Sequence, residues 1–173
     1  NQPLWLVTLW MNEMGKDKTV DLCAWFNEQP RLTARINTLK VSIEDCLKEL
    51  QNLGWTVEQD KDIPEVVYID GHQGHLEKAK PVIEGHITFM DKASMLVAHV
   101  VDPHPGDRIL DCCAAPGGKS MHMASLMNNT GAIMSCDIYD HKLDLMNQNA
   151  ERLGVSIVST KLQDGRYLPD NWK

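Results

Sequence analysis

The chain lacks several things that would have classified it quickly. No apolar run in its 173 residues is long enough to cross a bilayer, and no signal-type hydrophobic segment lies near its start; the expectation is a cytoplasmic protein with no membrane partner. Its five cysteines contain no Cys-x-x-Cys spacing, so neither a disulfide scaffold nor a zinc ribbon is indicated, and reduced thiols are the default. There is no excess of positive charge: 17 Lys and Arg stand against 24 Asp and Glu, a net charge of −7. That argues against a globally basic nucleic-acid binder but leaves room for a local basic face. Two phosphate-binding glycine motifs are also missing. The only adjacent glycines, Gly117-Gly118, do not make G-x-G-x-x-G. Gly118-Lys119-Ser120 fits the end of a P-loop, but its first required glycine falls on Cys113. A phosphate-binding NTPase fails on that position.

What is present is an ordinary globular composition, 43% hydrophobic and 24% charged, long enough for one full domain or two small ones. It also has one dense stretch, residues 108–120. Ile109 and Leu110 lead into Asp111 as a buried strand would, Pro116, Gly117 and Gly118 break it, and Ser120 onward reads as a helix. Strand, glycine turn and helix N-terminus together form the cofactor corner of an open α/β sheet. Asp111 through Ser120 match, residue for residue, the pattern D-x-C-A-A-P-G-G-K-[ST]. This resembles the S-adenosylmethionine loop of the Sun/Fmu (nucleolar-protein) family of RNA cytosine-5 methyltransferases, most like the bacterial enzymes that modify 16S ribosomal RNA.

Residues 3–27 are predicted helical, with stripes at Leu4, Trp5, Leu9, Trp10 and at Val20, Leu22, Cys23, Trp25, Phe26, divided by Gly15. The apolar opening Leu4-Trp5-Leu6-Val7 is expected to pack against something; because the resembling family often carries a helical RNA-binding domain before this point, Asn1 reads as a boundary inside a longer protein. Residues 31–58 give β-α-β. Leu32, Ala34 and Ile36 alternate with Thr33, Arg35 and Asn37 as in a half-buried strand, and Ser42 with Asp45 caps a helix ending near Gly54. Strands follow at Trp55–Val57 and Val66–Ile69. His72, His75 and His86 lack the cysteines and spacing of a zinc site, so no metal is predicted. Residues 85–101 read as a strand and then a helix on which His99 is a core residue. Pro103–Asp107 is a turn. A second strand, Ala132–Asp137, ends in a carboxylate about one strand-helix-strand repeat after Asp111, where such folds accept ribose hydroxyls; Asp137 could equally cap a helix. A helix then runs through Leu153 to Gly154, and Val155–Val158 is read as a third strand.

The resemblance adds roles to these residues. It implies a small RRM-like α/β unit before a Rossmann-like methyltransferase domain, with boundaries at 1–28 for a helical lead-in, 29–84 for the RNA-binding unit and 85–173 for the first half of the cofactor domain. It implies S-adenosylmethionine held by Cys113, Ala114, Ala115, Pro116, Gly117, Gly118 and Lys119, with Asp137 on the ribose and Asp164 on the adenine amino group. The run Arg-Ile-Asn-Thr-Leu-Lys at 35–40 resembles the family's R-x-N-T-L-K, which implies RNA phosphate contacts from Arg31, Arg35 and Lys40; on charge alone these are a solvated strand edge. Met90 stands where the family usually has glutamine. The family's catalytic D-[AP]-P-C-S-G-x-G loop is not found before Lys173, and none of the five cysteines has its context, so no catalytic residue is nominated. The expectation is a fragment of a 16S rRNA methyltransferase, inactive alone and open to self-association along its unpaired sheet edge. The alternative is a non-enzymatic RNA-binding or ribosome-assembly protein that keeps the loop.

Overall fold

The computed structural model describes residues 2–71 and 75–167. It divides into two units, one ending at Arg31 and one beginning at Leu32. In the first, helix α1 (Leu4–Met14) and helix α2 (Lys16–Trp25) meet at Gly15, whose φ of 84° suits glycine. Thr19 is buried and donates its hydroxyl to the Gly15 carbonyl at 2.7 Å. The Trp10 ring stacks on Phe26 with centroids 5.6 Å apart, while Leu4 and Trp5 stay exposed.

The second unit holds two sheets. The first is antiparallel, built from β1 (Leu32–Ile36), β2 (Thr56–Gln59), β3 (Val66–Asp70) and β4 (Ile87–Phe89) in the order β2-β3-β1-β4. Helix α3 (Ile43–Asn52) joins β1 to β2, and helix α4 (Lys80–Ile83) precedes β4. This is the β-α-β-β-α-β order of a ferredoxin-like module. The Ser42 hydroxyl caps α3, accepting the Asp45 N–H at 3.1 Å. Ala34, Ile36, Cys46, Leu50, Trp55, Val67, Ile69 and Ile87 form its core. Because β4 pairs with β1 (Ile36 opposite Ile87), the sheet runs past the boundary expected at residue 84 and ends at Phe89.

The second sheet is parallel: β5 (Arg108–Asp111), β6 (Ala132–Asp137) and β7 (Val158–Leu162), in that order. Helix α5 (Lys92–Val101) precedes it, α6 (Gly118–Leu126) links β5 to β6, and α7 (Asp140–Leu153) links β6 to β7. Ala98, Met121, Met123, Ala124, Met127, Ile133, Ala150, Leu153 and Val155 pack together between helices and sheet. This is the parallel β-α-β-α-β arrangement of a Rossmann-like sheet. The third strand lies further along than Val155–Val158. Gly154 turns left-handed (φ 71°) and the Val155 N–H bonds back to the Ala150 carbonyl at 2.8 Å, so Val155 closes the end of α7 rather than starting a strand.

Strand β1 is also more enclosed than alternation suggests. Arg35 and Asn37 are each 1% exposed, like the alanine and isoleucine on the other face. The reason is tertiary: the face that would meet water in an isolated module is packed against the cofactor half, where Val66 touches Met95 of α5.

Candidate cofactor site

The loop after β5 is tied down by its own polar groups. The Asp111 carboxylate accepts the Ser120 hydroxyl at 2.7 Å and the Cys113 N–H at 3.3 Å, so it links the start of the loop to the first turn of α6. Ser135 on β6 donates to the Ser120 hydroxyl at 2.8 Å. The Ala114 N–H donates to the Cys136 carbonyl at 2.9 Å, pinning the loop across the end of β6. Gly117 then turns the chain at φ 98°, and a Cβ there would sit 3.2 Å from Met146 Cγ, so both backbone and space call for glycine. Gly118 starts α6, whose first N–H groups have no helical acceptor and carry the positive end of the helix dipole. Cys113, Pro116 and Lys119 face solvent, and Ala114 and Gly117 are buried. Met90 lies against Gly118, its sulfur 3.6 Å from where a Cβ would stand; a thioether occupies the place of the family's amide.

The two acids arrive at the same edge. Asp137, 9% exposed, ends β6; its Oδ1 accepts the Tyr139 N–H at 3.1 Å, with Lys142 Nζ 4.0 Å away. It shapes the turn into α7 rather than capping it, since α7 starts at Asp140. Asp164 follows β7 and is gripped by Arg166, Nη2 to Oδ2 at 2.7 Å and Nε to Oδ1 at 3.0 Å; those bonds hold its carboxyl below the ordinary aspartate range. The Gln163 N–H donates to the Asp137 carbonyl at 3.0 Å, and a Cβ on Gly165 would lie 2.9 Å from that of Cys112. The loops after β5, β6 and β7 therefore converge at the carboxyl ends of adjacent parallel strands, where α/β sheets hold ligands.

The R-x-N-T-L-K run has a different surrounding from the one expected. Arg35 is buried, and none of its guanidinium nitrogens has a hydrogen-bond partner among the described residues; burial lowers its pKa to about 10, against the pull of Glu65. A group so enclosed has no route to an RNA phosphate, which corrects that expectation. Asn37 Nδ2 donates to the carbonyls of Gly85 and Leu153, both at 2.9 Å. Lys40 Nζ donates to the carbonyls of Glu84 and Arg152 at 2.8 and 2.7 Å, and Thr38 meets Ser125 at 3.0 Å. In return Arg152 of α7 donates to the Val82 carbonyl at 2.8 Å. The motif welds the ferredoxin-like module to the carbonyl end of α7. Arg31 is exposed and directly precedes β1.

One cluster was not singled out in the sequence. The Glu65 carboxylate, just before β3, accepts from His99 Nε2 of α5 at 2.7 Å and His122 Nε2 of α6 at 2.9 Å through a single oxygen. Burial raises the Glu65 pKa, but the hydrogen bonds, that from His122 foremost, outweigh it and bring the group to about 2. Burial lowers the His122 pKa. The signal was an acid directly before an apolar strand, which reads equally well as a turn. These distances are those of hydrogen bonds, and the Arg35 charge beside Glu65 opposes a cation. Of the histidines considered for metal, His72 lies outside the described residues, His75 is on the surface, and His86 bonds Glu49 at 2.7 Å. Cys46 and Cys136 are buried with raised thiol pKa values, Cys46 to about 12.

Comparison with known proteins agrees with this construction. Residues 98–173 match the family model described as 16S rRNA methyltransferase RsmB/F, and residues 2–74 match the ferredoxin-like domain of RsmF/B-like methyltransferases. The chain is 33% identical over 173 residues, all of its length, to the "Probable ribosomal RNA small subunit methyltransferase B" of Bacillus subtilis. It is 35% identical over 94% of its length to the protein of the same name from Synechocystis. It spans 38% and 36% of those two relatives. A solved methyltransferase homologue from Pyrococcus horikoshii superposes with a TM-score of 0.82 at 27% identity, over 87% of this chain and 49% of that one. Matched by two family models on either side of the module junction, and by relatives along its whole length, the chain belongs to the RsmB/F (Sun/Fmu) family of RNA cytosine-5 methyltransferases.

Proposed function

We propose that this chain binds S-adenosylmethionine at the ends of β5, β6 and β7, as the cofactor-holding part of an enzyme that methylates carbon 5 of a cytidine in small-subunit ribosomal RNA. The observation that carries the reading is the convergence of the Asp111–Ser120 loop with Asp137 and Asp164. The residues suit the cofactor: the bare backbone at Gly117 and Gly118 admits close approach, and the free N–H groups opening α6 can donate to a carboxylate. Asp137 offers acceptors to a ribose diol, and Asp164 one to an exocyclic amine. When bound, the cofactor supplies an electrophilic methyl group on sulfur. Cys113, Pro116 and Lys119 form the exposed rim of the site. The nucleophilic thiol of the family's chemistry is assigned to none of the five cysteines, so residues 1–173 alone are expected to bind cofactor without turnover. Ribosomal RNA as substrate follows the relatives' names and 16S the description of the family model; a cytoplasmic setting is part of the same proposal, and among the described residues no helix is long and apolar enough to cross a membrane.

Calorimetric titration with S-adenosylhomocysteine, with ATP as control, tests the reading. Binding of the first alone is expected, weakened about tenfold or more by Asp137→Asn, the scale of a hydrogen bond to a charged group. A folded chain that binds neither would overturn it.

A further inference from the structure

We infer that Arg166 is a positioning residue that sets the purine preference of this site, by holding the Asp164 carboxylate in one orientation with a single acceptor position left for an exocyclic amino group. The inference rests on the cofactor reading above.

The geometry is specific. The Arg166 main-chain N–H and Nε donate to Oδ1 at 2.9 and 3.0 Å, while Nη2 donates to Oδ2 at 2.7 Å, with Nε also 3.1 Å from Oδ2. A carboxylate has about four acceptor positions. Three N–H groups occupy three of them, Nε sharing its one hydrogen between the two oxygens, and the position left over is on Oδ2. The turn that presents it is itself fixed: Gly165 lies against Cys112 too closely for any side chain, and Gln163 Nε2 donates to the carbonyls of Tyr167 and Asp164 at 2.7 and 3.2 Å. An oriented carboxylate with one vacant lone pair welcomes an N–H donor and repels a carbonyl oxygen. It therefore favours a 6-aminopurine over a 6-oxopurine. Stability is a poor explanation for the pair, because the arginine side chain is 78% exposed and exposed ion pairs add little to folding.

The test is titration of the whole chain with S-adenosylhomocysteine and with its 6-oxo analogue, S-inosylhomocysteine. Wild type should prefer the adenosyl compound by about tenfold or more, because a site that donates or accepts at a fixed point rejects the mismatched group. Arg166→Ala should lose about fivefold in adenosyl affinity with the inosyl affinity unchanged or improved, a loss on the scale of one exposed charged pair. Arg166→Lys, with charge but no fork, should recover part of the preference, and the unfolding midpoint should stay in place for both. A preference undiminished in Arg166→Ala, or equal losses for both ligands, would overturn the inference and leave the cofactor reading standing. A folded wild-type chain that binds neither ligand would overturn both.

Discussion

Gly117 is the residue on which the loop turns. Its φ of 98° lies where side chains are strained, and Met146 stands where a Cβ would point. Gly117→Ala should cost about 1–3 kcal/mol of stability by urea unfolding. It should also weaken S-adenosylhomocysteine binding, because the loop must shift to relieve the contact. Gly118 is the informative neighbour: a Cβ there meets only the Met90 side chain at 3.6 Å. Gly118→Ala should therefore leave folding stability within about 0.5 kcal/mol, the usual range for a substitution away from special features. The two adjacent glycines look alike in the motif, and only one is demanded by the fold.

Between elements, the Glu65 cluster joins the small module to α5 and α6 through one carboxylate, and it makes stability depend on pH. The Glu65 carboxyl is held at about 2 in the fold, below its ordinary 4.5, so its contribution is complete above about pH 4.5 and is lost as pH falls toward 2. His122 has a lowered pKa in the fold, from 6.5; the unfolded chain takes up its proton first, so stability also declines as pH drops below about 6.5. Urea midpoints measured from pH 8 to pH 4 should be level at the alkaline end and fall on acidification. His122→Gln should flatten the first part of that fall. Glu65→Gln should cost about 3 kcal/mol or more at pH 7, since it strands the buried Arg35 charge.

The cluster also shows where sequence reading stops. The Asp111–Ser120 loop, the caps at Ser42 and Gly154, and the strand ends at Asp137 were legible because each depends on neighbours within a few residues. Arg35 was not: its alternation places it on a solvated face, and only the packing of a second module makes that face interior. Val155 failed for a smaller reason. Its apolar side chain serves a helix end as well as it would serve a strand, and periodicity over four residues cannot separate the two.

At the scale of the whole second unit, two modules of different architecture share one set of carbonyl caps. Asn37→Ala would leave the Gly85 and Leu153 carbonyls without their donor in a buried setting, costing about 1–3 kcal/mol. Lys40→Ala should lower the unfolding midpoint too. Were Lys40 an RNA-phosphate ligand, the salt slope of RNA binding would change by about one; the expected outcome is an unchanged slope. The ferredoxin-like strands thus finish a helix that belongs to the neighbouring sheet. Cutting the chain between Phe89 and α5 would separate two folds on paper and damage both in practice, because the end of α7 would meet water with no replacement for Asn37 and Lys40. Each module is the other's missing terminus. A graft that moves the cofactor sheet onto a new RNA-binding partner would have to carry residues 37–40 with it.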